Sequence, residues 1–371
     1  VGASACITQH LWVWLFFGVI FIFFVMSLIS TDKNIPLICH GHSRPVSYLE
    51  HSNIFKPDGA IYLLSACFDG GAQIRNGKTG DWFGTFSGHK GAVWSAKFNN
   101  DADLVATASA DYSAKLWDAV TGKEKATFQH QKMVKDIIFS PDETKVISGG
   151  FENMLRVWDI QRPDTAVNTM NKQNTFIKHV VWNKLCNNLI ITASGDDNIL
   201  RSWDARGKEI VNEYKIEGLN KSQPISSMSI TRDSAFIIIT TANHVTFLNS
   251  KKMTPLLEFS IDDETSCVSM HPSGDKFIVG SRDFSVSVYS MEGKRLENHR
   301  GHHGPVTWVS YAPDGKTYAS GSEDGTVRIW QDEVKPYSLW QFHDSPATVE
   351  PVPTKSPTTK SHIKDGEATD Q

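Results

Sequence analysis

Short runs in which apolar and polar residues alternate fill the chain from residue 35 to residue 331, and polar turns separate them. Alternation with a period of two residues predicts β-strands that bury one face. The clearest unit places four such runs in succession, at residues 92–98, 104–109, 113–117 and 124–128. Turns rich in Asn, Asp, Gly and Thr lie between these runs, so we expect a small antiparallel sheet of four strands.

This unit recurs along the chain with a period of about 41 to 45 residues. Three copies end in Trp-Asp, a fourth ends in Trp alone, and three weaker copies carry Arg, Leu or Tyr at the same place. The repeat-end positions are Arg75, Trp117, Trp158, Trp203, Leu248, Tyr289 and Trp330. Seven four-stranded units of this length predict an all-β fold, a seven-bladed β-propeller of the WD40 type, over residues 35–331.

The last unit contains only three predicted strands of its own after Gly301. Residues 36–39, which precede the first unit, can supply the missing fourth strand. Pairing between the first and last segments removes the open sheet edges that promote aggregation. We therefore expect the ring to close in this way.

Polar residues recur at fixed places in several units. A Gly-His pair opens the clearest ones, and an Asp precedes the repeat-end position by six residues. When buried together, His, Asp, a hydroxyl and the Trp indole can satisfy one another by hydrogen bonds, so we interpret them as structural rather than catalytic groups. The expected groups are His89, Thr107, Asp111 and Trp117 in the second unit, and His302, Ser320, Asp324 and Trp330 in the last.

The two ends of the chain differ from the repeats. Residues 1–34 form an apolar leader, in which residues 11–29 carry no charge and are long enough to cross a bilayer. Because the chain opens with Val1 rather than Met, two interpretations stay open: a membrane anchor, or translated sequence that the mature protein lacks. After the repeats, residues 332–342 form an apolar extension, and residues 343–371 are typical of a disordered tail.

Charge and cysteine content narrow the range of functions. The 37 basic and 41 acidic residues give a net charge of −4 without a dense basic run, which argues against direct nucleic-acid binding. The five cysteines are widely spaced and include no Cys-x-x-Cys pair, so we expect free thiols rather than disulfides or a zinc ribbon. No phosphate-binding loop, Gly-x-Ser-x-Gly, His-Glu-x-x-His or kinase motif occurs. We therefore expect neither catalysis nor a cofactor or metal.

Several segments give the repeats a more specific resemblance. They are RNGKTGDW at residues 75–82, GHKGAVWSA at 88–96, SADYSAKLWDAVTG at 109–122, GHHGPV at 301–306, SEDGTVRIW at 322–330 and KPYSLW at 335–340. Together they resemble the serine-threonine kinase receptor-associated proteins, a family of WD40-repeat proteins also called unr-interacting proteins. The first segment is the most specific of them, because Arg75-Asn76 replaces the usual Trp-Asp.

This resemblance implies a non-catalytic scaffold in the cytoplasm and nucleus. Its implied protein partners are the SMN–Gemin assembly, which serves spliceosomal particles and hence mRNA splicing, and the TGF-β receptor with inhibitory Smad proteins. RNA is implied only indirectly. The leader, the Lys/Thr-rich tail and the region around residues 223–248 depart from the family pattern. If residues 11–29 are a genuine anchor, the alternative is a membrane-anchored WD40 adaptor or exchange factor in organelle trafficking.

We expect partners to bind where loops from all blades converge at one mouth of the central channel. Trp94 follows the first strand residue of its unit, while Phe68 and Arg282 each precede a turn Asp, so these three form a candidate site. The opposing interpretation is that Trp94 only packs between blades. A second candidate surface is the apolar extension, which we expect to pack on the propeller or on a partner. Its candidate residues are Tyr337, Leu339 and Trp340.

Overall fold

The computed structural model of this chain describes residues 34–54, 59–186, 188–216 and 224–333. Within these ranges the regular structure consists of 28 β-strands, β1 to β28 in chain order. They form seven antiparallel sheets of four strands each, which are the blades of a propeller. The predicted all-β, seven-bladed fold is thus confirmed.

The first three blades follow the chain without interruption. Blade 1 contains β2 (Val46–His51), β3 (Tyr62–Cys67), β4 (Gly71–Asn76) and β5 (Trp82–Ser87). Blade 2 contains β6 (Val93–Phe98), β7 (Leu104–Ser109), β8 (Ser113–Asp118) and β9 (Glu124–Gln129). Blade 3 contains β10 (Val134–Phe139), β11 (Lys145–Gly150), β12 (Arg156–Asp159) and β13 (Arg162–Thr169).

Three further blades have the same internal order. Blade 4 contains β14 (Ile177–Trp182), β15 (Leu189–Ser194), β16 (Ile199–Asp204) and β17 (Ile210–Lys215). Blade 5 contains β18 (Ile225–Ile230), β19 (Phe236–Thr241), β20 (His244–Asn249) and β21 (Pro255–Ser260). Blade 6 contains β22 (Thr265–Met270), β23 (Lys276–Ser281), β24 (Ser285–Ser290) and β25 (Arg295–Arg300).

Blade 7 joins the two ends of the propeller. Its own strands are β26 (Val306–Tyr311), β27 (Thr317–Ser322) and β28 (Val327–Gln331), and its outer strand is β1 (Leu37–Cys39). Leu37 pairs with Ile329 and Cys39 with Val327, and the Asn34 side chain donates to the Gln331 carbonyl at 2.7 Å. The expected closure by the first strand is therefore present.

Neighbouring blades adhere through the repeat-end residues, all of which lie on third strands. The Trp117 ring is 1% exposed and lies 5.9 Å from Phe86, on the outer strand of the preceding blade. Trp158 contacts Phe128 in the same way at 5.2 Å. Burying one large aromatic side chain stabilises a fold by about 2–3 kcal/mol, so each repeat Trp holds two blades together.

Several sequence predictions fall on residues outside the described ranges. They concern the apolar run at residues 11–29, the extension with Tyr337, Leu339 and Trp340, and the tail at 343–371, and they stay predictions. No helix long and apolar enough to span a membrane occurs in the described part of the chain.

Candidate protein-binding site at the channel mouth

In blade 2, four polar groups form a hydrogen-bonded chain from the surface to the core. The His89 Nε2 atom lies 2.7 Å from Thr107 Oγ1, and the Trp117 indole donates to the same hydroxyl at 2.8 Å. His89 Nδ1 lies 2.8 Å from a carboxylate oxygen of Asp111. Burial alone raises the pKa of Asp111, but hydrogen bonds from His89, Ser113 and a backbone amide outweigh it and hold that pKa well below its usual value. Both ring nitrogens of His89 are thus engaged in the network.

Blade 7 repeats this arrangement with its own residues. His302 Nε2 lies 2.7 Å from Ser320 Oγ, which accepts from the Trp330 indole at 2.8 Å. The Asp324 carboxylate lies 3.1 Å from His302 Nδ1. Burial lowers the pKa of His302, so the imidazole stays neutral at neutral pH and acts as a hydrogen-bonding spacer.

Blade 3 contains a group of the same kind that the sequence reasoning missed. His130 Nε2 lies 2.9 Å from Ser148 Oγ, and the Trp158 indole donates to that hydroxyl at 2.8 Å. Glu152 replaces the usual Asp and lies 3.5 Å from His130 Nδ1. No Gly precedes His130, which hid the motif. Only the sequence spacing between His130 and the repeat-end residue Trp158 could have indicated this group.

Blade 1 contains the one group of metal-ligating type found among the described residues. Ligand atoms of His42, Cys67 and Asp69 lie within 4.8 Å of one another, a set that can bind zinc. Each of these side chains already has a protein partner. His42 Nε2 lies 2.7 Å from Ser65 Oγ, and the Cys67 thiol donates to the Arg44 carbonyl at 3.1 Å. Burial raises the pKa of Cys67 to about 12, which disfavours the thiolate, so we interpret the set as this blade's structural network.

The seven inner strands enclose a cavity of about 610 Å³ along the channel. Inside it, the Lys97 ammonium hydrogen-bonds to the Tyr48 hydroxyl and lies 3.8 Å from Glu50. The Asp136 carboxylate accepts from the Val180 amide at 2.8 Å. Burial raises the pKa of both Glu50 and Asp136. Because these contacts join inner strands of different blades, the channel's polar groups hold the ring together.

Long basic side chains cross the channel where the inner strands end. The Arg232 guanidinium donates to Asn53 Oδ1 at 3.1 Å and to the Tyr311 carbonyl at 3.4 Å. The Lys184 ammonium donates to Asn100 Oδ1 at 2.8 Å. These contacts connect blade 5 with blades 1 and 7, and blade 4 with blade 2, which narrows the channel at this end.

The opposite mouth, where the inner strands begin, has a different structure. In every blade the pairing of the first two strands shifts register after the first residue of the inner strand, which leaves one extra residue. A β-bulge of this kind re-aims the extra side chain. We call these seven positions the rim residues: Ser47, Trp94, Lys135, Lys178, Ser226, Ser266 and Thr307.

Trp94 is the centre of an aromatic and cationic cluster on this rim. Its half-buried ring meets Phe68 of blade 1 edge-on at 4.5 Å, and the Lys135 ammonium of blade 3 lies 3.1 Å above its face. Trp94 thus packs between blades, as the opposing interpretation expected. At the same time it remains partly accessible at the channel mouth. We call this group the rim cluster, which consists of Phe68, Trp94 and Lys135.

Electrostatic repulsion acts along the rim. Burial and the neighbouring Lys178 lower the pKa of Lys135 to about 7. Burial and Arg282 lower the pKa of Lys178 to about 8, against a smaller opposing effect of Asp196. The Lys178 ammonium donates to the Ile225 carbonyl at 2.6 Å. The rim therefore concentrates positive charge on blades 3 and 4.

Arg282 differs from the other two predicted binding residues. Its side chain is 65% exposed and forms an ion pair with Glu264 at 3.2 Å. Its backbone amide donates to the carbonyl of Glu264 at 2.9 Å, directly before the inner strand of blade 6, which places Arg282 at the same rim. Of the three predicted residues, Phe68 and Trp94 contact each other directly, whereas the cation over the Trp94 ring is Lys135 rather than Arg282. Sequence reasoning missed both rim lysines, although they stand at the Trp94 position of the next two repeats.

Comparison with known proteins agrees with the propeller fold. The model of the WD domain, G-beta repeat, matches residues 80–118, 122–159, 255–290 and 293–331. The serine-threonine kinase receptor-associated protein of Dictyostelium discoideum is 43% identical over 278 residues, which span 75% of this chain and 92% of that protein. The chain belongs to the serine-threonine kinase receptor-associated protein family. The family members of Homo sapiens and Mus musculus are 37% and 38% identical over 281 residues, which span 76% of this chain and 77% of theirs. A WD40 propeller of this family is a scaffold fold that binds proteins.

Proposed function

We propose that this chain is a non-catalytic adaptor that binds its protein partners at the channel mouth through the rim cluster. The observation that carries the proposal is the half-buried Trp94, which has Phe68 against its edge and a lysine over its face. A few residues contribute most of the binding energy in a protein interface, and tryptophan is enriched among them when the interface packs tightly around it.

Two partner systems are proposed for the adaptor. The relatives are named as receptor-associated proteins, which supports association with a serine-threonine kinase receptor, and by family resemblance with the TGF-β receptor and inhibitory Smad proteins. The same resemblance supports a role in SMN–Gemin-dependent assembly of spliceosomal particles. Both roles fit a protein that works in the cytoplasm and the nucleus.

Substitution of the rim tryptophan tests the proposal, and the chain offers a matched control. Trp94→Ala removes the centre of the rim cluster, whereas Trp82→Ala removes a tryptophan that is 58% exposed on the outer strand of blade 1. Both tagged variants are expressed in cells, and their partners are measured by affinity purification with quantitative mass spectrometry. We expect Trp94→Ala to reduce recovery of receptor or SMN–Gemin components by about tenfold, and Trp82→Ala to leave it unchanged.

A folded Trp94→Ala protein that recovers every partner at the wild-type level would refute the proposed site. Circular dichroism and thermal melting of each purified variant establish whether it is folded.

The uncharged run at residues 11–29 favours a second candidate function, a membrane-anchored WD40 adaptor in organelle trafficking. This run lies outside the described residues. Carbonate extraction of cell membranes, with mass spectrometry of the protein's N-terminal peptide, distinguishes the two functions. Recovery of a peptide from residues 1–34 in the carbonate-resistant fraction would support the anchored adaptor.

A further inference from the structure

The two rim lysines lack the carboxylate partners that three other half-buried lysines of this propeller have. Elsewhere, Lys97 lies against Glu50, Lys115 against Glu124 at 2.6 Å, and Lys276 against Asp332 at 2.7 Å. In the described ranges, no ion pair involves Lys135 or Lys178, whose contacts are the Trp94 ring and the Ile225 carbonyl respectively. Both side chains are partly withdrawn from water.

Two ammonium groups in this setting favour an incoming negative charge. Charges that lose water without gaining a counter-charge destabilise the fold, and the mutual repulsion of like charges adds to that cost. An anion seated beside both lysines removes the repulsion and forms charge-assisted hydrogen bonds, which are stronger than neutral ones. The rings of Trp94 and Phe68 limit access of water from one side, which strengthens these interactions.

Other charged groups near the rim restrict where the anion can sit. Asp136, the next residue in the chain, raises the pKa of Lys135, and Asp196 of blade 4 raises the pKa of Lys178. Arg282 lowers the pKa of Lys178, but its own charge is paired with Glu264. Among the groups that shift the pKa of Lys135, Asp136 is the one carboxylate. Its oxygens already accept hydrogen bonds from the Ser95 hydroxyl and the Val180 amide.

We propose that Lys135 and Lys178 receive an anionic side chain of a partner peptide, a carboxylate or a phosphate, while an apolar side chain next to it packs on Phe68 and Trp94. This inference rests on the proposed function, because it assigns the partner's chemistry at that same site. The recognised element is an acidic residue adjacent to a large apolar one.

Binding of this kind has a protonation signature. The lysine ammonium groups must be charged to hold the anion, and the bound anion raises their pKa values above the free values of about 7 and 8. Binding near pH 7.5 is therefore expected to take up protons. Affinity should be highest at pH 6.5 and should fall by about tenfold or more by pH 8.5, because the free lysines lose their charge over that range.

A randomised heptapeptide library, with and without phosphoserine, tests the inference on the full chain. The wild-type protein, the double variant Lys135→Met/Lys178→Met and the control Lys132→Met are used to select peptides in parallel. Lys132 is an exposed lysine that lies just before the first strand of blade 3, the blade of Lys135. We expect the wild type and Lys132→Met to enrich Asp, Glu or phosphoserine beside an apolar residue, and the double variant to lose that enrichment. The two library arms show which anion is preferred.

Titration calorimetry of one selected peptide in two buffers of different ionisation enthalpy measures the proton uptake. Enriched peptides without an acidic preference, an acidic preference that survives in the double variant, or binding without proton uptake would each overturn this inference and leave the adaptor proposal standing. Failure of the wild type to enrich any peptide would also overturn it. The adaptor proposal itself is decided separately, by the Trp94→Ala purification.

Discussion

Lys135 is a residue whose position lowers the stability of the fold it belongs to. Its ammonium group lies over the Trp94 ring, and burial together with the charge of Lys178 holds its pKa at about 7, although a lysine in an unfolded chain titrates near 10.4. The attraction of the Trp94 face offsets part of this cost. Residues that carry such a cost are commonly found at functional sites, which is why Lys135 supports a binding role for the rim.

Replacing this lysine with a neutral side chain of similar length is therefore expected to stabilise the protein. Lys135→Met should raise the free energy of unfolding by about 1–2 kcal/mol at pH 7. A lysine with a lowered folded-state pKa destabilises fully below that pKa and not at all above its unfolded-state pKa. The gain should accordingly shrink toward zero as the pH approaches 10. Urea unfolding at several pH values measures it, and a gain that is equal at pH 7 and pH 10 would contradict the assignment.

Asp111 shows the opposite behaviour, because its charge stabilises the folded state. Its carboxylate accepts from the Lys90 amide at 2.9 Å, from the Ser113 amide at 3.0 Å and from the His89 ring. Asp111→Ala should lower the free energy of unfolding by about 2–4 kcal/mol, since it leaves buried donors without a partner. The control Asp101→Ala changes an exposed aspartate of the same blade. Equal midpoints of chemical denaturation for the two variants would show that the network is not stabilising.

At the scale of elements, the short strand β1 has a larger role than its three residues suggest. It pairs with β28 and supplies the outer strand of blade 7. The Gly80 turn of blade 1 approaches Cys39 and Leu37 so closely that a Cβ atom there would lie 2.7 Å from the Cys39 sulfur. One strand therefore satisfies the edge of the last blade and packs against the first.

Truncation at two points tests this role. Removal of residues 1–40 deletes β1, exposes the edge of β28 and should lower the melting temperature by about 5 °C or more, with oligomers formed through the open edge. Removal of residues 1–33 keeps β1 and should leave the propeller's melting temperature unchanged. Differential scanning calorimetry and size-exclusion chromatography read both effects. Equal melting temperatures for the two truncated proteins would mean that β1 is dispensable for closure.

At the scale of the whole molecule, the repeated networks make stability depend on pH. Burial lowers the pKa of His42 and His302, so the folded protein keeps these rings neutral while an unfolded chain protonates them below about 6.5. Hydrogen bonds overcome the opposing effect of burial and lower the pKa of Asp111, Asp324 and Glu152. An unfolded chain protonates such carboxylates near pH 4.

Both effects have the same sign, because the unfolded state binds more protons as the pH falls. The raised pKa values of the buried Glu50 and Asp136 act in the opposite direction and offset part of this decrease. Stability should begin to decrease below about pH 6.5 and should decrease more steeply below about pH 4. Thermal melts from pH 8 to pH 3 measure this profile. A decrease between pH 7 and pH 5 that is equally large in the wild type and in a His42→Gln/His302→Gln variant would contradict the contribution of the two histidines.

The architecture of the molecule was largely predictable from the chain. Alternation and the repeat period are local properties, and they indicated the strands, the number of blades and the third-strand position of every repeat-end residue. In blade 2 the predicted run at 104–109 coincides with β7 (Leu104–Ser109). Closure by the first strand followed from the same count, because a blade with three strands requires a fourth.

The chemistry of the candidate site depended on the fold. Phe68, Trp94 and Lys135 come from three blades, and no local pattern states that they touch. The network of His130 and Glu152 was likewise hidden, because Gln129 stands where other repeats have Gly and Glu152 stands where they have Asp. The sequence by itself determined that seven units close into a ring, since burial of each strand's apolar face requires neighbours. Only the tertiary structure decided which side chains meet at the mouth, because a bulge in each inner strand sets where the rim side chains point.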